Sequence, residues 1–504
     1  MSGAELSTLS KVNKLCVEVV PEIKRLLNLD WRPIVKARPN YNDQEHISIN
    51  RVDMATALAL KCGLDPGKIV RTSGGEYTGE WRNVKKTLEA VKSAVSTSDY
   101  AHIERMLTSG CPFELNLEES TESKLKIMAR GNQKSFIQYS DQVAKSINKE
   151  EKNSHVFPMH KWVCHLGPNM RHTAQGMVMK DGKGRVVWDG STKFEPLDVV
   201  LNDYTPVDNE PEVTFGTAKR DFYWLIYNLR VSYPEASILL ALADIKACFR
   251  FPRIHPDLTG AFGFLAANLY FLAIAMVFGS NTSAACWEPF RRAIEALSKK
   301  FANRPDLVEK HKKYINMIKW DVPTAQFEKP VKANMCPLNP GVIDESGNKI
   351  YHPSRIWVDD ILIAAVGVAN MKMALAAVIE AIFTVLGQPE VEKRQCPLAM
   401  DKWLDLIVGE TQIALGLVLN TRKLSVGIPR KYLDETLRLL SSTWHKHRKR
   451  FKAIEASKMV GKLARLAEGA PWVCFLVSHL YRSIAHALAQ NKHILKNHRM
   501  SFRN

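Results

Sequence analysis

Arg355-Ile-Trp-Val-Asp-Asp-Ile-Leu-Ile-Ala-Ala365 sets two adjacent carboxylates, Asp359 and Asp360, between two apolar runs. Ile356-Trp357-Val358 on one side and Ile361-Leu362-Ile363 on the other are short, β-branched and aromatic. That composition predicts two strands joined by a tight hairpin with a charged tip. Two like charges are costly to bury without a counter-charge, so the pair needs a cation or solvent. A divalent metal suits hard carboxylate oxygens. An ordinary polar turn would use the same residue type, because Asp is frequent in turns.

A second apolar run, Ile238-Leu-Leu-Ala-Leu-Ala-Asp244-Ile-Lys-Ala-Cys-Phe-Arg250, ends its predicted strand on one carboxylate. A strand ending in Asp beside a hairpin bearing Asp-Asp would gather three carboxylates, as two-metal phosphoryl transfer requires. Asp244-Ile-Lys-Ala-Cys-Phe249 resembles the first palm motif of reverse transcriptases. Trp357-Val-Asp-Asp360 resembles their aromatic-x-Asp-Asp motif, with Trp where Tyr or Phe is usual.

The chain of 504 residues is long enough for two to four domains and a large core. Apolar and charged contents of 46% and 24% are those of a globular protein. The net charge of +18 points to a polyanionic partner or an acidic membrane surface. Residues 421–504 alone hold 18 Lys and Arg against 4 Asp and Glu. No uninterrupted apolar run of membrane-spanning length and no signal-peptide pattern is present, so a cytoplasmic or nuclear protein without a membrane partner is expected. Nine scattered cysteines argue for reduced thiols rather than a disulfide framework. His160, Cys164, His165 and His172 lie close in sequence without zinc-site spacing.

Residues 1–125 carry helical patterning and no chemical motif, and are expected to form an N-terminal helical domain. Residues 126–155 read as a helix and connector. The strand-turn-strand 173–189 turns at Lys180-Asp-Gly-Lys-Gly184. It resembles the fingers hairpin of reverse transcriptases, whose Lys180, Lys183 and Arg185 would face a triphosphate, because cationic donors suit phosphate oxygens. Ala261-Phe-Gly-Phe264 and Tyr270–Ala275 read as paired strands. Phe278-Gly279, in Met276-Val-Phe-Gly-Ser-Asn-Thr-Ser-Ala284, resembles the second palm motif, with Val277 and Ala285 where Pro is usual. Residues 302–354 read as an insertion. Gly387-Gln-Pro-Glu-Val-Glu-Lys393 resembles the fourth motif, whose lysine can protonate leaving pyrophosphate, with Lys402 as the alternative. Leu415-Gly416 resembles the primer-grip hairpin, with a return strand expected at Leu424-Ser-Val426. Pro429 is expected at the first position of a helix. It opens a basic three-helix region that resembles a thumb, with Lys446, Arg448, Lys449 and Arg450 on the nucleic-acid backbone.

The resemblance covers about residues 155–470. It implies an α+β, right-hand polymerase of fingers, a palm with an antiparallel sheet backed by helices, and a helical thumb. Expected bounds are 1–125 for the N-terminal domain, 126–235 for connector and fingers, 236–428 for the palm and 429–504 for the thumb. It further implies that Asp244, Asp359 and Asp360 hold two Mg2+ ions, or Mn2+, with the Ile245 carbonyl completing a coordination shell. Phe249 would exclude a ribose 2′-hydroxyl. The implied activity is retrotransposon RNA-directed DNA polymerase, acting on an RNA or DNA template with primer and dNTPs. Other retroelement domains of a polyprotein are possible partners. Two alternatives use the same residues: a non-catalytic nucleic-acid-binding remnant, and an RNA-dependent RNA polymerase.

Overall fold

The computed structural model describes residues 17–28, 47–73, 84–112, 121–180, 182–191, 200–203, 205, 211–322, 354–389, 396–444, 450–490 and 499–501. In chain order its strands begin with β1 (Val156–His160), β2 (Gln175–Lys180), β3 (Lys183–Trp188), β4 (Ile238–Asp244), β5 (Phe264–Ala266) and β6 (Leu269–Ala273). They continue with β7 (Lys319–Asp321), β8 (Ser354–Trp357), β9 (Asp360–Val366), β10 (Ile407–Gly409), β11 (Thr411–Ala414), β12 (Leu417–Asn420) and β13 (Ser425–Gly427). The chain divides into two compact units, each interleaved in sequence with the other.

One unit comprises residues 1–216, 245–301 and 378–399. Its described N-terminal part is helical, as the patterning predicts, with helices that include Ile49–Lys61, Pro66–Ser73 and Thr97–Thr108. These helices do not form a core of their own. Leu58 and Ile69 share one with Met159, Trp162, Tyr270 and Leu272 of the sheet β1-β6-β5 and the helical turn after β1. The strand expected from Ala261 starts only at Phe264, because Pro256 initiates a 3-10 helix that runs to Phe262. Helix Ser283–Phe301 buries Trp287, Phe290 and Ile294, and its Arg292 Nε donates to Asp99 Oδ2 at 2.9 Å. The hairpin β2–β3 forms as expected and closes at the Lys180–Lys183 pair, with Gly182 at φ +75° in the turn.

The other unit comprises residues 217–244, 302–377 and 400–504. Its sheet runs β7-β10-β4-β9-β8. It is antiparallel, as expected, except for the parallel pair β10–β7. Central β4 is apolar up to its last residue because both of its faces are covered. Phe222, Leu225, Ile226 and Leu229, at helical spacing on Ala218–Ser232, pack onto that sheet. β9 runs directly into helix Gly367–Leu386, where Gly367 adopts φ +72°. Among the described residues, only this helix is long and apolar enough to cross a membrane. With 72% of it buried inside the protein, it is a core helix. Gly387, at φ +100°, ends it.

β11, β12 and β13 form a separate antiparallel sheet. Here the sequence expectation needs correction. Leu415 and Gly416, at φ +46° and +77°, are themselves the two-residue turn between β11 and β12. The return strand is therefore Leu417–Asn420, and Ser425–Gly427 is a third strand beside it. Two successive left-handed residues match the twist of a hairpin, so the chain reverses there instead of continuing. Helices Arg430–Ser442, Ala453–Gly469 and Val473–Gln490 come next, with Pro429 as the N-cap of the first rather than its first residue. Ala456 and Val460 pack with Val477 and Ile484. No disulfide joins any two of the described cysteines.

Candidate active site

β4 and β9 pair from Ile238↔Val366 down to Asp244↔Asp360. Residues directly opposite in an antiparallel pair present their side chains on one face, with Cβ atoms about 5 Å apart. Trp357 on β8 also pairs with Asp360, so the loop between β8 and β9 is Val358-Asp359 alone. The expectation of an Asp-Asp tip thus shifts by one residue: Val358 and Asp359 form the turn, and Asp360 opens β9. Val358 has φ +58°, a left-handed conformation that is a genuine outlier for a β-branched side chain. The pairing on both flanks over-determines it, as strained residues at functional sites require.

The three carboxylates are electrostatically linked. Burial pushes the Asp244 carboxyl up. The Lys402 hydrogen bond pulls it down and the charge of Asp359 pushes it up again, for a net value of about 6. Asp360 is also raised, by burial and then by Asp359. Lys402 Nζ donates to Asp244 Oδ2. Burial would lower its ammonium, but Asp244, Asp359 and Asp360 together raise it. The helical turn Met400–Leu404 presents Lys402, and buried Trp403 anchors that turn by donating its indole N–H to the Tyr314 carbonyl at 2.9 Å. Lys393, the first sequence choice for this neighbourhood, lies outside the described residues.

The other unit gathers a second set. The Phe249 and Phe278 rings meet edge to face at 5.2 Å, and the Arg185 guanidinium lies 5.3 Å from the Phe278 centroid. Trp188 N–H donates to the Phe278 carbonyl at 2.9 Å, which ties the end of β3 to the loop 276–281. Gly279 is required there. Its φ is +113°, and a Cβ would fall 1.9 Å from the Trp188 carbonyl oxygen. Asn202 Nδ2 donates to the Gly279 carbonyl at 3.0 Å, and its Oδ1 accepts from Asn281 N–H at 3.1 Å. The structure thus brings Arg185, Phe249, Phe278 and Gly279 together. Lys180 and Lys183 close the hairpin through their backbones, and their side chains lie outside the described residues. Ile245 is buried and bridges Leu398.

Leu415 and Gly416 face helix Ala453–Gly469. Arg465 Nη2 donates to the Leu415 carbonyl at 2.8 Å and fills the space a Cβ at Gly416 would take. Of the basic run, Lys446, Arg448 and Lys449 lie outside the described residues. The Arg450 backbone pairs with Ser501 in a short ribbon. His160 Nε2 lies 2.8 Å from Asp53 Oδ1 and 3.3 Å from Glu22 Oε1. Sequence reasoning missed Glu150 and Arg250. The signal for Arg250 was a charged residue in the aromatic run Phe249-Arg-Phe251, and Glu150 gave none.

No family model matches the sequence, and no curated protein matches it. Solved structures that are distant likenesses include the following three. The foamy viral protease-reverse transcriptase dRH in complex with double-stranded DNA aligns at 11% identity and TM-score 0.40, over 83% of this chain and 57% of that one. The foamy viral protease-reverse transcriptase with an RNA/DNA hybrid aligns at 12% and 0.39, over 83% and 44%. The native prototype foamy virus enzyme aligns at 12% and 0.30, over 66% and 33%. This chain spans about half the length of the first two.

Proposed function

We propose that this chain is a reverse transcriptase of a retrotransposon: a template-directed nucleotidyltransferase that extends a primer with dNTPs on an RNA template. The observation that carries this reading is the Asp244↔Asp360 pair, with Asp359 in the adjoining two-residue turn. Three carboxylates and no thiolate or imidazole form a donor set that fits a hard divalent cation such as Mg2+. Asp244, Asp359 and Asp360 would hold it, together with the Ile245 carbonyl. Bound Mg2+ would supply Lewis-acid stabilisation of charge developing on phosphate oxygens.

The reaction joins the primer 3′-oxygen to the α-phosphorus of a dNTP, releases the hydroxyl proton and expels pyrophosphate. Little covalent work falls to the protein, so positioning and electrostatics dominate. Lys402, held cationic by its acidic neighbours, is the proton donor to pyrophosphate in this reading. Arg185, with Lys180 and Lys183 from the same hairpin, neutralises the triphosphate. Phe249 occupies the place of a ribose 2′-hydroxyl and so selects deoxynucleotides, while Phe278 and Gly279 support the base. The excess of Lys and Arg in residues 421–504 suits a nucleic-acid backbone.

Primer extension tests the reading, with dNTPs or rNTPs on RNA or DNA templates. Extension with dNTPs on RNA is expected. Extension with rNTPs alone would make the chain an RNA polymerase. Tight template–primer binding without any extension would make it a binding remnant.

A further inference from the structure

Arg250 is the residue after Phe249, and it is buried. Its guanidinium makes three kinds of contact at once. Nη1 donates to the Met276 carbonyl at 2.9 Å, two residues before Phe278. The planar group lies 4.8 Å from the Trp188 ring and 5.7 Å from the Phe278 ring. Nε lies 3.1 Å from Glu150 Oε2, on helix Ser140–Lys152. The same Glu150 oxygen lies 2.9 Å from His155 Nδ1, and the His155 carbonyl accepts from Ile274 N–H at 3.0 Å. One buried cation therefore joins the turn carrying Phe249 to the loop carrying Phe278.

Stability alone gives little reason for such a pair. Apolar side chains of similar volume usually replace a buried ion pair without loss. An apolar residue at 250 could cover Trp188 and Phe278 equally well, but it could not hold the Met276 carbonyl. The guanidinium adds direction, because its planar fork fixes a carbonyl and a ring face in one geometry. Glu150 holds the fork in place.

We propose that the Glu150–Arg250 pair is a positioning device that sets the Phe249 ring against Phe278 and thereby sets sugar selectivity. This inference rests on the polymerase reading. Without the pair the loop 276–280 shifts, the Phe249 ring gains freedom, and a ribose 2′-hydroxyl is admitted.

The test uses the double variant Glu150→Gln with Arg250→Met, which leaves neither partner charged and alone and so avoids the folding failure expected of either single change. The ratio of kcat/KM for dNTP over rNTP is expected to fall about tenfold, with kcat for dNTP changed less than about threefold. Adding Phe249→Ala to the double variant is expected to cost no more selectivity than Phe249→Ala alone, because both changes act through one ring. Unchanged selectivity in the double variant, or losses that multiply, would overturn the proposal. Amide exchange over residues 276–280 needs no turnover and is measured alongside. Faster exchange in the double variant is expected, and unchanged exchange also overturns it. A wild-type chain that incorporates neither nucleotide refutes the polymerase reading instead, and the clamp then stands or falls on the exchange result.

Discussion

Asp360 stands directly across the antiparallel ladder from Asp244, and the turn before it adds the carboxylate of Asp359. Like charges facing each other across a ladder destabilise a sheet. Here they also terminate an otherwise apolar strand pair, where a neutral residue would be stable. Lys402 offsets part of the repulsion through Asp244. In the proposed reading, such an arrangement trades stability for a place to hold a cation.

Asp360→Asn is therefore expected to stabilise the metal-free protein by about 0.5–1 kcal/mol, read as the urea unfolding midpoint. Adding Mg2+ should raise the wild-type midpoint more than that of the variant, because a cation that binds only the folded state stabilises it. A variant less stable than wild type in the absence of metal would contradict the repulsion described here.

Val358 supplies a second stability test. An L-residue in the left-handed region costs about 1–2 kcal/mol, while Asn tolerates that region. Val358→Asn should raise the unfolding free energy by about 1 kcal/mol. A lower value would mean that contacts of the valine side chain outweigh the backbone strain.

His172 gives the fold a pH dependence of definite sign. It is buried, its Nδ1 accepts the Leu265 N–H at 3.1 Å, and burial pulls its pKa down to about 4. An unfolded chain, with the ordinary value near 6.5, takes up a proton that the folded chain refuses. Stability is thus intact above about pH 6.5 and falls as the pH drops towards 4, by about 3 kcal/mol at the lower end. Urea midpoints measured at about pH 7, 5.5 and 4 should show this loss, and His172→Gln should flatten it. The same slope in the variant would assign the acid sensitivity elsewhere.

The strands β4 and β9 were legible because apolar runs of strand length ending in carboxylates allow few other structures. So was the β2–β3 hairpin, whose turn chemistry is local. The errors fell where the path of the chain depends on backbone conformation. Val358 and Leu415 both enter the left-handed region, which nothing in a valine or a leucine announces. Glu150 escaped for a different reason, as did the contact of Lys402, named only as an alternative, with Asp244. Lys402 and Glu150 meet Asp244 and Arg250 across 158 and 100 residues of chain respectively, and side-chain contacts at that range leave no periodic trace in a sequence. The strand expected from Ala261 starts only at Phe264 because of Pro256, whose fixed φ begins a helical turn that an apolar run does not reveal.

Single-nucleotide incorporation by Asp359→Asn on a primed RNA template tests the central claim most directly, with template–primer affinity measured on the same samples. The substitution removes one negative charge from an accessible turn and changes almost no volume. Incorporation is expected to fall about a thousandfold or more, several kcal/mol of barrier, while affinity stays within about twofold. Incorporation within about tenfold of wild type would contradict the assignment of these carboxylates to catalysis.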